Sequence, residues 1–170
     1  MAHILIDGYN LIGIAHGNLE MARNDLIQKL YKYADTRGHD ITLVFDGWKN
    51  GQPVESRTKA GCVTVIYSRL GEKADQVIRN KLSETATQWI VVSSDREIYD
   101  FAERKDFAAI TSDEFERKLY SALDECNPDN PEESSSAEDE DVDCAPARRK
   151  GASGKLSKKD KRKIQALNKL

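Results

Sequence analysis

The sequence is poor in cysteine, has no long apolar run, and carries no marked excess of either charge. Cysteine occurs only at Cys62, Cys126 and Cys144, and no two of these form a CxxC pair. A disulfide framework and a thiolate zinc site are thereby excluded, and a reducing cytoplasm fits. No stretch approaches the roughly 18 apolar residues of a membrane span, so no membrane partner is expected. The opening residues, Met1 to Asp7, lack the basic start and apolar core of a signal peptide.

The near-absence of net charge, −3, is an average over unlike pieces. Residues 124–144 hold ten acids and no Lys or Arg, whereas residues 145–170 hold ten bases and one acid. Residues 1–123, with 16 bases and 18 acids, are close to neutral. The chain therefore reads as a domain over 1–123, an acidic linker over 124–147 and a basic tail over 148–170. The linker has too few apolar side chains to offset chain entropy and reads as disordered. In the tail, Ser157 and Asp160 stand at capping-box spacing and Ile164 and Leu167 share a face, so a short helix fits. Its cations suit ribosomal RNA or another polyanion; a solubilising tail is the alternative.

Within 1–123, short apolar runs alternate with helical stripes. The runs His3–Ile6, Ile41–Phe45, Val63–Tyr67, Trp89–Val92 and Phe107–Ile110 read as five buried strands. Leu19 to Ala34 forms a helical stripe closed by Gly38, a second stripe runs from Ala74 to Leu82, and a third covers Ile98 to Ala102. A fourth runs from Phe115 to Leu123, behind Thr111 and Glu114 at capping-box spacing. Such alternation specifies an α/β fold of three layers, Rossmann-like, with a mainly parallel sheet covered on both faces. The link from Phe45 to Val63 reads as a loop, with room for a hairpin.

In a parallel α/β sheet the site lies beyond the carboxyl ends of the strands. There the first strand delivers Asp7, the second Asp46 and the fourth Asp95, while Asp75 opens the helix after the third. Converging carboxylates repel one another, and a hard cation with oxygen ligands, Mg²⁺ or Mn²⁺, relieves that repulsion. Each acid taken singly has a plainer reading, as a cap on the next helix. Asn10 adds a neutral oxygen. Ser93 and Ser94 have no suitably placed His–Asp pair, which removes a serine nucleophile. A haloacid dehalogenase phosphatase would need a second Asp two residues after Asp7, where Tyr9 stands.

The ordered motifs Ile6-Asp7-Gly8-Tyr9-Asn10, Val44-Phe45-Asp46-Gly47, Lys73-Ala74-Asp75-Gln76 and Val92-Ser93-Ser94-Asp95-Arg96 resemble the NYN domain, in its YacP-like branch, within the PIN-like nuclease group. The resemblance covers about residues 3–123. It implies a PIN-like fold with a five-stranded parallel sheet and a metal-dependent endoribonuclease, with relatives acting on messenger RNA at the ribosome. It assigns Asp7, Asp75 and Asp95 to the metal site and Asn10 to the motif asparagine, with Asp46 as the acid after the second strand. Hydrolysis by an activated water would leave a 5′-phosphate and a 3′-hydroxyl. Arg57, Lys59, Arg69, Lys73 and Arg96 are candidates for the RNA backbone, each also readable as solvated surface charge. Trp48, beside Lys49 in the loop after the second strand, would stack on a base or cover a hydrophobic edge. The alternative function is an RNA-binding module without catalysis.

Overall fold

The computed structural model describes residues 1–13, 18–47, 54–84, 87–125 and 157–170. Its strands are β1 (His3–Asp7), β2 (Asp40–Phe45), β3 (Ser56–Ala60), β4 (Val63–Tyr67), β5 (Trp89–Val92) and β6 (Ala108–Ile110). Its helices are α1 (Gly8–Ile12), α2 (Leu19–Arg37), α3 (Ala74–Glu84), α4 (Arg96–Arg104), α5 (Ser112–Glu125) and α6 (Lys158–Lys169). The strands form one sheet in the order β3-β4-β2-β1-β5-β6, parallel throughout except for β3.

The period of two along the strands divides the core. Ile4, Ile6, Ile41, Leu43, Phe45, Ile90 and Val92 point to a cluster with α1, α2, α5 and the end of α6. Leu5, Val44, Ile66 and Val91 point to the opposite cluster, with α3 and α4. Strands this apolar on both faces need a helical layer on each, so the three-layer arrangement follows from the composition of β1, β2 and β5.

Local chemistry sets the helix ends. The Asn18 side chain accepts from Glu20 N at 3.0 Å to start α2, and Gly38, left-handed at φ 65°, ends it. Thr111 N donates to Glu114 at 3.0 Å while Glu114 N donates to Thr111 Oγ1 at 3.3 Å, closing the capping box ahead of α5. Helix α5 continues to Glu125, two residues into the acidic segment. The remainder of the expected linker, like Trp48 and Lys49, lies outside the described residues.

Among the described residues six strands form rather than the five expected. The sixth, β3, reads Ser-Arg-Thr-Lys-Ala and pairs antiparallel with β4. A solvent-exposed edge strand has no core face to fill, so it carries none of the apolar run by which a buried strand is recognised, and its Arg57 and Lys59 blunt the edge.

At the other edge, α6 lies against β6. Ser157 and Asp160 form a full capping box at its start. Three of its cations are committed to the domain: Lys159 pairs with Glu103 at 2.6 Å, Arg162 with Asp106, and Lys163 with Glu114 at 2.8 Å. Ala166 and Leu170 are buried, and the Tyr33 hydroxyl donates to the Leu170 carbonyl at 2.9 Å. Burial pushes the Tyr33 pKa up to about 12. Lys158, Lys161 and Lys169 remain exposed. No helix among the described residues is long and apolar enough to cross a membrane.

Candidate active site at the carboxyl edge of the sheet

Four acids gather where β1, β2 and β5 end, and three of them engage a helix start. Asp7 closes β1 and caps α1, with Oδ1 accepting from Asn10 N at 3.2 Å. Asp46 follows β2 and accepts from Ala74 N at the start of α3. Asp95 follows β5 and caps α4, accepting from Glu97 N at 2.7 Å and Ile98 N at 3.4 Å. Asp75 sits in the first turn of α3. The capping and catalytic readings of these acids are thus compatible, because helix N-termini aimed at one edge offset part of the repulsion between carboxylates.

The close approaches behind the acids depend on glycine at two positions. A Cβ on Gly8 would lie 2.2 Å from the Phe45 ring, and one on Gly47 would lie 1.7 Å from the Ser68 carbonyl oxygen. Gly47 N donates to Ser68 Oγ at 3.0 Å and Ser68 N to the Phe45 carbonyl at 2.9 Å, so the ends of β2 and β4 are stapled together.

A part-buried hydrogen-bond chain runs from the Asp7 carboxylate to the backbone N–H of Asp95. Asn10 Nδ2 donates to Asp7 Oδ2 at 2.8 Å and to Ser93 Oγ at 3.3 Å. Ser93 Oγ also accepts from Asp95 N at 3.0 Å. Asp7 is 4% exposed and Ser93 1%. Burial raises the Asp7 carboxyl above its ordinary value; the Asn10 bonds oppose this, and the charges of Asp75 and Asp46 add to it. Asp75 is raised likewise, first by burial and then by Asp95 and Asp46, while Arg79 and Lys73 pull it down. These mutual influences bring all four acids into one electrostatic group.

Every acidic donor here is an oxygen, which is the chemistry of a hard divalent cation. Asp7, Asp75 and Asp95, with Asn10 beside them, are the residues that would hold it. Among the described residues, no three His, Cys, Asp or Glu groups already stand close enough to share one ion.

The expected RNA contacts are dispersed. Arg96 is exposed at the start of α4, close to the acids. Lys73 and Arg69 border a cleft beside Asp75, with Arg69 paired to Glu72 at 3.1 Å. Arg57 and Lys59 are exposed on β3, away from this cleft's lining. Two buried polar side chains near this edge are not marked in the sequence. Ser93 reads there only as an implausible nucleophile, because a hydroxyl that accepts two hydrogen bonds leaves no mark in composition or periodicity. Arg23, buried on α2, lies 5.9 Å from the Tyr67 ring centroid and interacts with Tyr9; in the sequence it interrupts the apolar stripe of that helix without announcing its burial.

The sequence model of the YacP-like NYN domain matches residues 4–169, and so includes α6. The Bacillus subtilis (strain 168) protein YacP, described as uncharacterized, is 33% identical over an alignment of 102 positions that covers 54% of this chain and 59% of that protein. The chain thus spans well under two thirds of that relative's length. Two crystal structures of Rae1 (YacP) from Bacillus subtilis are similar at 26% identity. One, of a single-residue mutant, has a TM-score of 0.61 over 74% of this chain and 79% of the other; the second has 0.59 over 75% and 78%. The chain belongs to the YacP-like NYN domain family, a family of nuclease-type domains.

Proposed function

We propose that this protein is a metal-dependent endoribonuclease that hydrolyses RNA phosphodiesters. The observation that carries the reading is the convergence of four acids at one edge, where Asp75 and Asp46 act on Asp7 and Asp95 and Asp46 act on Asp75, with the Asp7 carboxylate linked through Asn10 and Ser93 to the backbone N–H of Asp95. Asp7, Asp75 and Asp95 would hold Mg²⁺ or Mn²⁺, which when bound supplies an activated water and charge stabilisation at phosphorus. Asn10 fixes the rotamer of Asp7, and Asp46 fixes the start of α3 and hence the position of Asp75. Arg69, Lys73 and Arg96 neutralise the backbone of the strand being cut; Arg57, Lys59, Trp48 and Lys49 extend its footprint. A messenger RNA substrate on the ribosome, in the cytoplasm, follows from the family resemblance, and the exposed Lys158, Lys161 and Lys169 supply a basic surface for it.

The test incubates labelled single-stranded RNA with the protein and with Asp7→Asn, in Mn²⁺ or in EDTA, alongside a small phosphomonoester. Cleavage of RNA alone, lost with either the substitution or the chelator, is the expected result. Cleavage that survives both sinks the metal mechanism. A second reading, an RNA-binding module without catalysis, draws on the spacing of the acids, since no three already close on one point among the described residues. RNA binding without cleavage in either metal would establish it.

A further inference from the structure

Between α3 and α4 opens a cleft of about 810 Å³ lined by Arg69, Lys73, Asp75, Gln76, Arg79 and Glu97. Arg79 lies one helical turn beyond Asp75, so the two share a face of α3. Its guanidinium is held over the Phe101 ring, 5.8 Å from the centroid. Its Nη2 donates to Glu97 at 2.7 Å. Its Nε is buried and has no hydrogen-bond partner.

The Nε and Nη2 hydrogens lie along one edge of the guanidinium plane, the edge that binds carboxylate or phosphate with two parallel bonds. Glu97 fills only half of that edge. Its side chain is 77% exposed, so water competes for it, and an ion pair of this kind contributes little. A buried donor without an acceptor is costly, and it marks a place where an acceptor belongs. Positive charge also continues past Arg79, since Arg104 and Lys105 each lie 6.0 Å from the same Phe101 ring.

We infer that Arg79 is a phosphate-binding residue for single-stranded RNA, with Glu97 standing in for the phosphate while no RNA is bound. A backbone phosphate displaces the exposed Glu97 carboxylate from Nη2 and, in its place, also takes the Nε hydrogen beside it. The strand then runs down the α3–α4 cleft from Asp75 towards Phe101, Arg104 and Lys105. The inference rests on the ribonuclease reading and adds to it the path of the strand and a competitor built into the site.

The experiment measures binding of fluorescent single-stranded RNA by anisotropy over a range of salt, with the full chain carrying Asp7→Asn so that the RNA stays whole. Arg79→Gln should weaken binding on the order of tenfold, as expected for a lost charged hydrogen-bond pair. It should also reduce the slope of log K against log salt by about 0.7, one phosphate contact on a single strand. Glu97→Gln should tighten binding by about threefold, because the carboxylate no longer competes. In the Arg79→Gln background, Glu97→Gln should change nothing. A purely structural bridge would move both single variants in the same direction, since each breaks the same ion pair. Parallel weakening, or an unchanged slope in Arg79→Gln, overturns the inference. If the unmodified chain cuts RNA and Arg79→Gln still binds like its parent, only the role of Arg79 falls. A parent chain that binds no RNA removes this inference and the ribonuclease reading together.

Discussion

Ser93→Ala tests how the acidic edge is held in register. The Ser93 oxygen is buried and accepts from Asp95 N at 3.0 Å and Asn10 Nδ2 at 3.3 Å. Alanine removes the acceptor and strands both donors. Each stranded donor costs about 1–3 kcal/mol when fully buried. Here Asp95 is half-buried and the Asn10 bond is long, so the low end applies and the sum is about 2 kcal/mol. For a domain of this size that lowers Tm by about 8 °C. The functional effect is separate. Asn10 keeps its 2.8 Å bond to Asp7 Oδ2 but loses the anchor that fixes its amide, so Asp7 and Asp95 are no longer mutually positioned. A drop in kcat of about tenfold, with KM little changed, is the expected loss of positioning. Ser93→Cys keeps the shape with a weaker acceptor and should fall between. Thermal melts by circular dichroism and steady-state cleavage of a short RNA read both quantities. If Ser93→Ala melts within about 1 °C of its parent, the assigned cost is wrong. If it melts lower but cleaves normally, the chain is structural and the argument for positioning fails.

Asp7→Asn should melt higher than its parent at neutral pH in metal-free buffer while losing cleavage. Burial and the charges of Asp75 and Asp46 raise the Asp7 carboxyl, so its ionised form opposes folding. That penalty is absent below the ordinary carboxylate pKa and develops as pH rises through the folded value, so the difference in Tm should shrink on acidification. Adding Mn²⁺ or Mg²⁺ should raise the Tm of the parent, by an amount corresponding to about 2.7 kcal/mol at 100 times Kd, and leave Asp7→Asn nearly unmoved; equal shifts in both would place the ion elsewhere. Docking of α6 should weaken in acid. Burial acts to raise Glu114, but the bonds from Lys163 and Thr111 outweigh it and hold the carboxyl below its usual range. Its stabilisation is then present above the ordinary carboxylate pKa and lost as pH falls through the lowered folded value. The protection of α6 amides relative to their intrinsic exchange rates should fall over that range ahead of that of β1, and an equal change in both would refute the assignment.

What could be read in the sequence was what periodicity and caps encode. Gly38, the Thr111–Glu114 pair and the Ser157–Asp160 pair each mark a helix end by local chemistry, which needs no knowledge of the rest of the fold. The acids after β1, β2 and β5 were legible because strand ends in a parallel sheet share one side. What escaped detection depends on partners distant in the chain. Strand β3 is specified by β4 beside it and not by its own apolar content. Ser93 acquires its role from Asn10, 83 residues earlier. The cations of α6 look free for a polyanion until Glu103, Asp106 and Glu114 are brought against them by α4, α5 and the turn between α4 and β6.

The bond from Ala74 N to the Asp46 carboxylate links the end of β2 directly to the start of α3. With the Gly47–Ser68 staple beneath it, the excursion from residue 48 to residue 67 leaves and returns at a closed base. The start of α3, and so Asp75, is set from that base and not by the length of chain between.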